Sequence, residues 1–296
     1  MSGSAPRNPT DTQAGAGRAL GSSLRSAVAA VGDYAGSLLK SARDLVRFVG
    51  GVSHLLGETC TWCFRGLFVP GYKLGRRSVV EQAVRVGVQA IPIVMIVQIF
   101  IGVILALQMA PTLERYGQME RVADVVGIAI FRELGPLITA IVLSGFAGAS
   151  IAAELGAMVE SEEIKALRAH ALNPIQFLVV PRFLATIVML TGLAVIADVI
   201  GAFGGFITSV MVLGVSPSAY LSATQDAVAM KDFITGLFKA GVFGVLISMI
   251  ACYEGLNVTG GAVGVGRATT ATVVKSIVAL IATDAVFTAV FFVLEL

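Results

Sequence analysis

Charge is scarce in this chain: only 14% of its 296 residues are Asp, Glu, Lys or Arg, against 56% hydrophobic residues and a mean hydropathy of +0.87. A soluble domain carries about a quarter charged residues, so that class is excluded and a polytopic membrane protein is expected. Histidine is scarcer still. His54 and His170 both lie outside the apolar runs, and no HExxH or Ser-His-Asp set can be built from them. An integral-membrane enzyme is therefore left without catalytic groups. Cysteine is limited to Cys60, Cys63 and Cys252. Cys60-Thr-Trp-Cys63 offers two of the four ligands structural zinc wants, with only His54 and Glu58 nearby, and no βαβ pattern makes it a redox motif. Cys252, inside an apolar run, reads as a small core residue. The glycine-rich stretch "GGAVGVGRATT" (260–270) fails as a phosphate loop, because Arg267-Ala268 stand where Lys-Ser/Thr is needed. It is expected to be a flexible loop with a helix starting at Thr269 or Thr270. The chain thus lacks a nucleotide site, a metal site or any cofactor of its own, and no nucleic-acid partner is expected.

A bilayer core of about 30 Å needs around 20 apolar residues per helix. Four stretches qualify directly: Ile91 to Ala110, Val125 to Met158, Phe233 to Tyr253 and Ile277 to Leu296. The stretch from Ile175 to Leu213 is longer, and is either one bent helix or a hairpin turning at Gly204-Gly205. The positive-inside rule favours one helix. Residues 1–90 hold eleven Lys and Arg, the 159–182 segment three and the 254–276 segment two, against three in the alternate loops (Arg115, Arg121 and Lys231). Five spans place sixteen on one side, with the N-terminus in the cytoplasm and the C-terminus outside. The fold expected is all-α and integral to the membrane, with a five-span domain over 89–296.

Residues 1–23 have no apolar core of a cleavable signal and read as a disordered cytoplasmic tail. Over 24–88, Leu24, Val28, Val31, Leu38, Ala42, Leu45 and Val49 recur at helical spacing with basic residues on other faces. Such an N-terminal amphipathic helix either lies in the headgroup plane or packs on its own protein.

Ionisable residues inside spans are costly, on the order of 3 kcal/mol each at the bilayer centre, so each needs a partner, a cavity or a role. By helical rise, Arg132, Glu133, Lys239 and Asp284 fall at overlapping depths. Two cations and two anions meeting there form either an interhelical lock or a polar patch lining a substrate cavity. Asp198 and Glu154 are weaker candidates. Small residues recur every four positions at Ser144, Gly148, Ala152 and Gly156, and again at Gly236, Ala240, Gly244 and Ser248. These faces suit close helix packing, within the bundle or against a second copy.

The polar stretch "VESEEIKALRAHALNP" (159–174) sits between two long uncharged runs. With Ser161 as N-cap, Glu162 and Glu163 in the first turn, and Lys165 and Arg168 later, a short helix over about 161–171 is well arranged for its dipole.

Together with "FRELGPLITAIVLSGFAGASIAAELGAM" (131–158), "NPIQFLVVPRFLA" (173–185), "FIGVILALQ" (100–108) and "GVGRATTATVV" (264–274), this chain resembles the MlaE/YrbE family of ABC-transporter permeases over about residues 85–296. The first 50 residues extend beyond the usual family length. The resemblance implies a homodimer of five-span subunits in the bacterial inner membrane. It also implies a cytoplasmic ATPase dimer that binds ATP and magnesium, an MCE-domain protein carrying phospholipid across the periplasm, and in some systems a STAS-type small subunit. It makes Ser161, Glu162, Glu163, Lys165, Leu167 and Arg168 the coupling helix that docks on the ATPase. By the same resemblance Arg132, Glu133, Lys239 and Asp284 are charged positions near the lipid cavity, and Leu105, Gln108 and Tyr116 match cavity-lining positions. Arg132 and Lys239 would then guide an anionic headgroup. The rival from another class is an ion-coupled secondary transporter using Asp284, Glu133 or Asp198, although no internal repeat with paired broken helices supports it. A scaffold with no transport role would tolerate loss of the buried charges.

Overall fold

The computed structural model describes residues 40, 42–66 and 76–294, and the chain divides into one unit up to Ser53 and another from His54 onward. In the first unit residues 42–53 are helical, with Leu45, Val46 and Val49 exposed. The tail expected over 1–23 and the amphipathic positions Leu24 to Leu38 lie outside the described residues.

The second unit opens with helix α1 (54–66), which buries Leu55 and Thr59; the threonine hydroxyl donates to the Leu55 carbonyl at 2.7 Å. Cys60 and Cys63 are half-buried free thiols on this helix. Among the described residues no group of three or more His, Cys, Asp or Glu gathers to hold a metal. Burial, and then the neighbouring Cys60, pushes the Cys63 thiol up to about 11. Very little of it is thiolate at pH 8, so maleimide labelling of Cys63 is expected to run roughly 100-fold slower than that of free cysteine. A rate matching free cysteine, measured by mass spectrometry of the labelled peptide, would mark it as an activated thiol instead.

Five helices long and apolar enough to cross a membrane follow: α2 (Arg77–Arg115), α3 (Met119–Glu160), α5 (Ile175–Met211), α7 (Met230–Leu256) and α8 (Gly261–Val293). Two short helices join them, α4 (Glu163–Ala169) and α6 (Pro217–Ala227), and no strand occurs among the described residues. Helix α5 is a single span. Gly204 and Gly205 do not turn the chain, because they are where α2 crosses: a Cβ on Gly204 would strike the Ile99 carbonyl, and one on Gly205 the Val126 and Tyr220 side chains.

Each span divides its residues between protein and lipid by helical periodicity. On α2, every fourth residue from Val86 through Ala90, Val94, Gln98, Gly102 and Ala106 to Ala110 is buried, while Ile93, Ile96, Phe100, Ile104 and Leu107 face outward. On α8 the buried row is Gly264, Ala268, Thr272, Ser276, Leu280 and Asp284. Both small-residue faces pack inside the chain: Gly148 meets Ile247 and Thr272, Gly156 meets Val258, and Gly244 meets the backbone of Ile187. Helix α3 carries two π-turns, Ile130–Leu134 and Ser144–Gly148, and α5 starts with a third, Ile175–Val179.

Two expectations are corrected. The stretch 260–270 is not a flexible loop: α8 begins at Gly261, eight residues before Thr269. Gly260 and Gly261, at φ of 96° and 68°, make the turn, and Gly264 lies against the Thr259 carbonyl, so the glycines serve helix entry and packing. The connection between α5 and α7 also holds a helix that sequence reasoning missed. Its signal is Ser216-Pro217, with the Ser216 hydroxyl accepting the Ala219 N–H at 3.2 Å.

Candidate functional site

The charged residues of three spans converge on Lys239. Its side chain is fully buried, and its ammonium lies 2.5 Å from Glu133 Oε2 of α3 and 3.0 Å from Asp284 Oδ1 of α8. Thr288 ties the set together, accepting from Lys239 at 3.3 Å and donating to Glu133 Oε1 at 3.0 Å. The Phe291 ring centroid lies 5.8 Å from the ammonium. Such a cation buried without partners would be prohibitively costly; here every proton of the ammonium has an acceptor or a π-face nearby.

Arg132 does not join this set. It sits one residue before Glu133 in the π-turn and pairs with Asp232 Oδ1 at 3.5 Å. Asp232 was not singled out from sequence. It stands in the first turn of α7, where its other oxygen accepts the Ala229 N–H at 3.1 Å, and an acid at the start of a helix is the signal that would have found it. With all five groups ionised the formal charge is −1, so the site's cations are already matched. Arg132 and Glu133, with side chains 32% and 30% exposed, are the members that reach the surface, whereas Lys239 reaches none of it.

The other cavity positions named from the resemblance lie on α2 and just beyond it. Leu105 is half-buried against Ala106, Val122, Val126 and Ile130. Gln108 and Tyr116 are exposed, and Tyr116 caps the end of α2. Asp198, on α5, is fully buried, and among the described residues neither carboxyl oxygen has a hydrogen-bond partner; Gly135 approaches it so closely that a Cβ would collide with it.

Helix α4, between two spans, faces outward almost entirely. Only Ile164 is buried, Leu167 is half-buried, and Glu163, Lys165 and Arg168 are exposed. The expected N-cap is corrected here. Helix α3 runs through Glu160, which makes Ser161 its C-cap. Glu162, left-handed at φ 62°, occupies the cap position of α4, and the Ser161 hydroxyl donates to Glu163 Oε1 at 3.1 Å. The helix is also shorter than expected, ending at Ala169, and Ala171 turns the chain at φ 57°. Two left-handed non-glycine residues bracket it, a conformation costing on the order of 1 kcal/mol each. The Lys165 ammonium, 2.6 Å from Glu162, holds that carboxyl below the usual glutamate range. The pair therefore persists at neutral pH and is lost as pH falls through that lowered value.

Five apolar spans, an ion-paired cluster among them and a polar knuckle between two of them define a multi-pass membrane protein. Over residues 79–290 the chain matches the family Permease MlaE, and it belongs to that family of ABC-transporter permeases. It is 39% identical over 214 residues to a probable ABC transporter permease protein of Rickettsia felis, covering 72% of this chain and 83% of that one. It is 33% identical over 220 residues to the chloroplastic protein TRIGALACTOSYLDIACYLGLYCEROL 1 of Arabidopsis thaliana, covering 74% and 63%. It is 31% identical over 214 residues to the intermembrane phospholipid transport system permease protein MlaE of Haemophilus influenzae, covering 72% and 82%. Membership of an ABC-permease family sets the ion-coupled alternative aside.

Proposed function

We propose that this chain is the permease of an ABC transporter that moves phospholipid between the inner membrane and an MCE-domain periplasmic carrier, serving outer-membrane lipid homeostasis. Two copies form the membrane core, with N-termini in the cytoplasm and C-termini in the periplasm. ATP and magnesium bind to a separate ATPase dimer, and a STAS-type small subunit completes the assembly in systems that have one. The observation that carries the reading is α4: a short, charged, outward-facing helix anchored by Ile164 and, in part, Leu167 between two spans. A helix held so sparingly by its own protein is suited to a groove on a partner, and the closing of that partner would move α3 and α5 directly. Arg132, the cation that reaches the surface, attracts the headgroup, Glu133 and Asp284 keep the buried Lys239 ammonium paired, and Leu105, Gln108 and Tyr116 line the way for the acyl chains. The similarity to the Haemophilus influenzae permease supports phospholipid as the cargo.

The test is co-purification of the tagged chain from its native host in mild detergent, with bound proteins and lipids identified by mass spectrometry. An ABC ATPase and an MCE protein are expected with the wild type. Reversal of charge at Glu162, Glu163, Lys165 and Arg168 together is expected to lower ATPase recovery by roughly tenfold or more, since rim charges steer and orient such contacts. Full ATPase recovery with the reversals would overturn the role given to α4.

A further inference from the structure

A second charged site lies near the end of the bundle that carries α4, and none of its residues belongs to the Lys239 cluster. Glu154, six residues from the end of α3, is paired with two guanidinium groups: Arg182 of α5, with Nη2 at 3.0 Å, and Arg85 of α2. Arg182 is only 6% exposed and also donates Nη1 to the Leu178 carbonyl at 2.8 Å. It balances Glu154 without help. Arg85 is the surplus cation, its side chain 54% exposed. It is also the last charged residue before α2 turns apolar, with no further charge until Glu114, which sets it at the level of the headgroups.

Beside this trio opens a cavity of about 190 Å³, lined on its polar side by Arg85, Gln82, Gln89, Ser150 and Glu154 and on its apolar side by Phe146 among others. Guanidinium, carboxamide and hydroxyl donors around a small concavity suit a tetrahedral oxyanion, and a guanidinium fork matches phosphate in particular. The volume admits a phosphate ester and leaves acyl chains outside, where Val84 and Val88 of α2 are exposed.

We propose that this cavity binds the phosphate ester of an anionic amphiphile, with Arg85 exchanging Glu154 for the phosphate while Arg182 keeps Glu154 neutralised. The exchange leaves no buried charge unpaired at any stage. The inference goes beyond the transport reading, and its test reads binding alone.

Full-length protein in phosphatidylcholine nanodiscs would be titrated with dioleoylphosphatidic acid, and separately with glycerol 3-phosphate, following occupancy by native mass spectrometry. Arg85→Gln is expected to weaken phosphatidic acid roughly tenfold, the loss of one charge-assisted contact. Ser150→Leu, which fills the cavity without changing charge, is expected to weaken it as well, and Arg85→Lys to retain part of the affinity. Arg85 is half exposed, so its variants remain folded. If phosphatidic acid binds in this Arg85-dependent way and glycerol 3-phosphate does not compete, a lipid headgroup is the ligand. If glycerol 3-phosphate alone binds with the same Arg85 dependence, the site takes a free phosphate ester. Unchanged phosphatidic acid affinity in both Arg85→Gln and Ser150→Leu would overturn the proposal.

Discussion

Lys239→Met is expected to cost about 3–5 kcal/mol of stability, the usual penalty for removing one partner of a buried ion pair, and to abolish the folded, monodisperse protein in detergent. The ammonium is fully enclosed and touches Glu133 and Asp284 at 2.5 and 3.0 Å. Without it the buried Asp284 and the partly exposed Glu133 face one another as two carboxylates, with the Thr288 hydroxyl donating to Glu133, and like charges at low dielectric repel strongly. The triple variant Lys239→Met, Glu133→Gln, Asp284→Asn removes every charge of the set and is expected to recover most of the stability, because replacing a whole buried ionic cluster is often close to neutral. Transport by that triple variant then decides what the cluster does. Recovered folding with lost lipid transport, measured in proteoliposomes with the ATPase partner, is the expected result. Recovered folding with retained transport would mean the cluster only locks α3, α7 and α8 together.

The five spans are legible because a bilayer demands around 20 apolar residues per crossing whatever the packing. Helix ends are not, because water-side turns extend a span without adding apolar residues. Hence α8 begins at Gly261 rather than Thr269, and α2 begins among charged residues at Arg77. The meeting of Glu133, Lys239 and Asp284 follows from depth alone, since groups at one level of a small bundle have few other places to go. Depth says nothing about which face each residue occupies. Arg132 and Glu133 are neighbours in sequence, yet the π-turn aims one at Asp232 and the other at Lys239, and neither hydropathy nor charge counting registers a π-turn. The cap of α4 was misjudged for a related reason. Ser161 has the right chemistry for an N-cap, but α3 runs two residues past its apolar stretch, to Glu160, and takes Ser161 for its own end.

Glycine is where sequence is most silent, and Gly102→Ala gives the second large effect. Gly102 and Gly192 look alike on paper, both glycines in apolar spans. In the structure Gly102 is buried at the crossing of α2 and α5, where a Cβ would meet the Gly201 carbonyl oxygen and the Gly205 backbone nitrogen, neither of which can move without shifting a helix. Gly192 is exposed, with nothing within 4 Å of where its Cβ would stand. Overpacking against backbone costs typically about 1–3 kcal/mol and occasionally more. In a span with no water to take up freed carbonyls, separating α2 from α5 also removes the contact that Gln98 makes possible between α2 and the Gly135 carbonyl of α3, an Nε2 donation at 3.1 Å. Gly102→Ala is therefore expected to lower the melting temperature in detergent markedly, and Gly102→Val to leave no folded protein. Gly192→Ala is expected to be neutral or to add up to about 1 kcal/mol through helix propensity. A Gly102→Ala protein that melts with the Gly192→Ala protein would mean that α2 and α5 do not cross at these glycines, and the headgroup-level placement of Arg85 on α2 would fall with it.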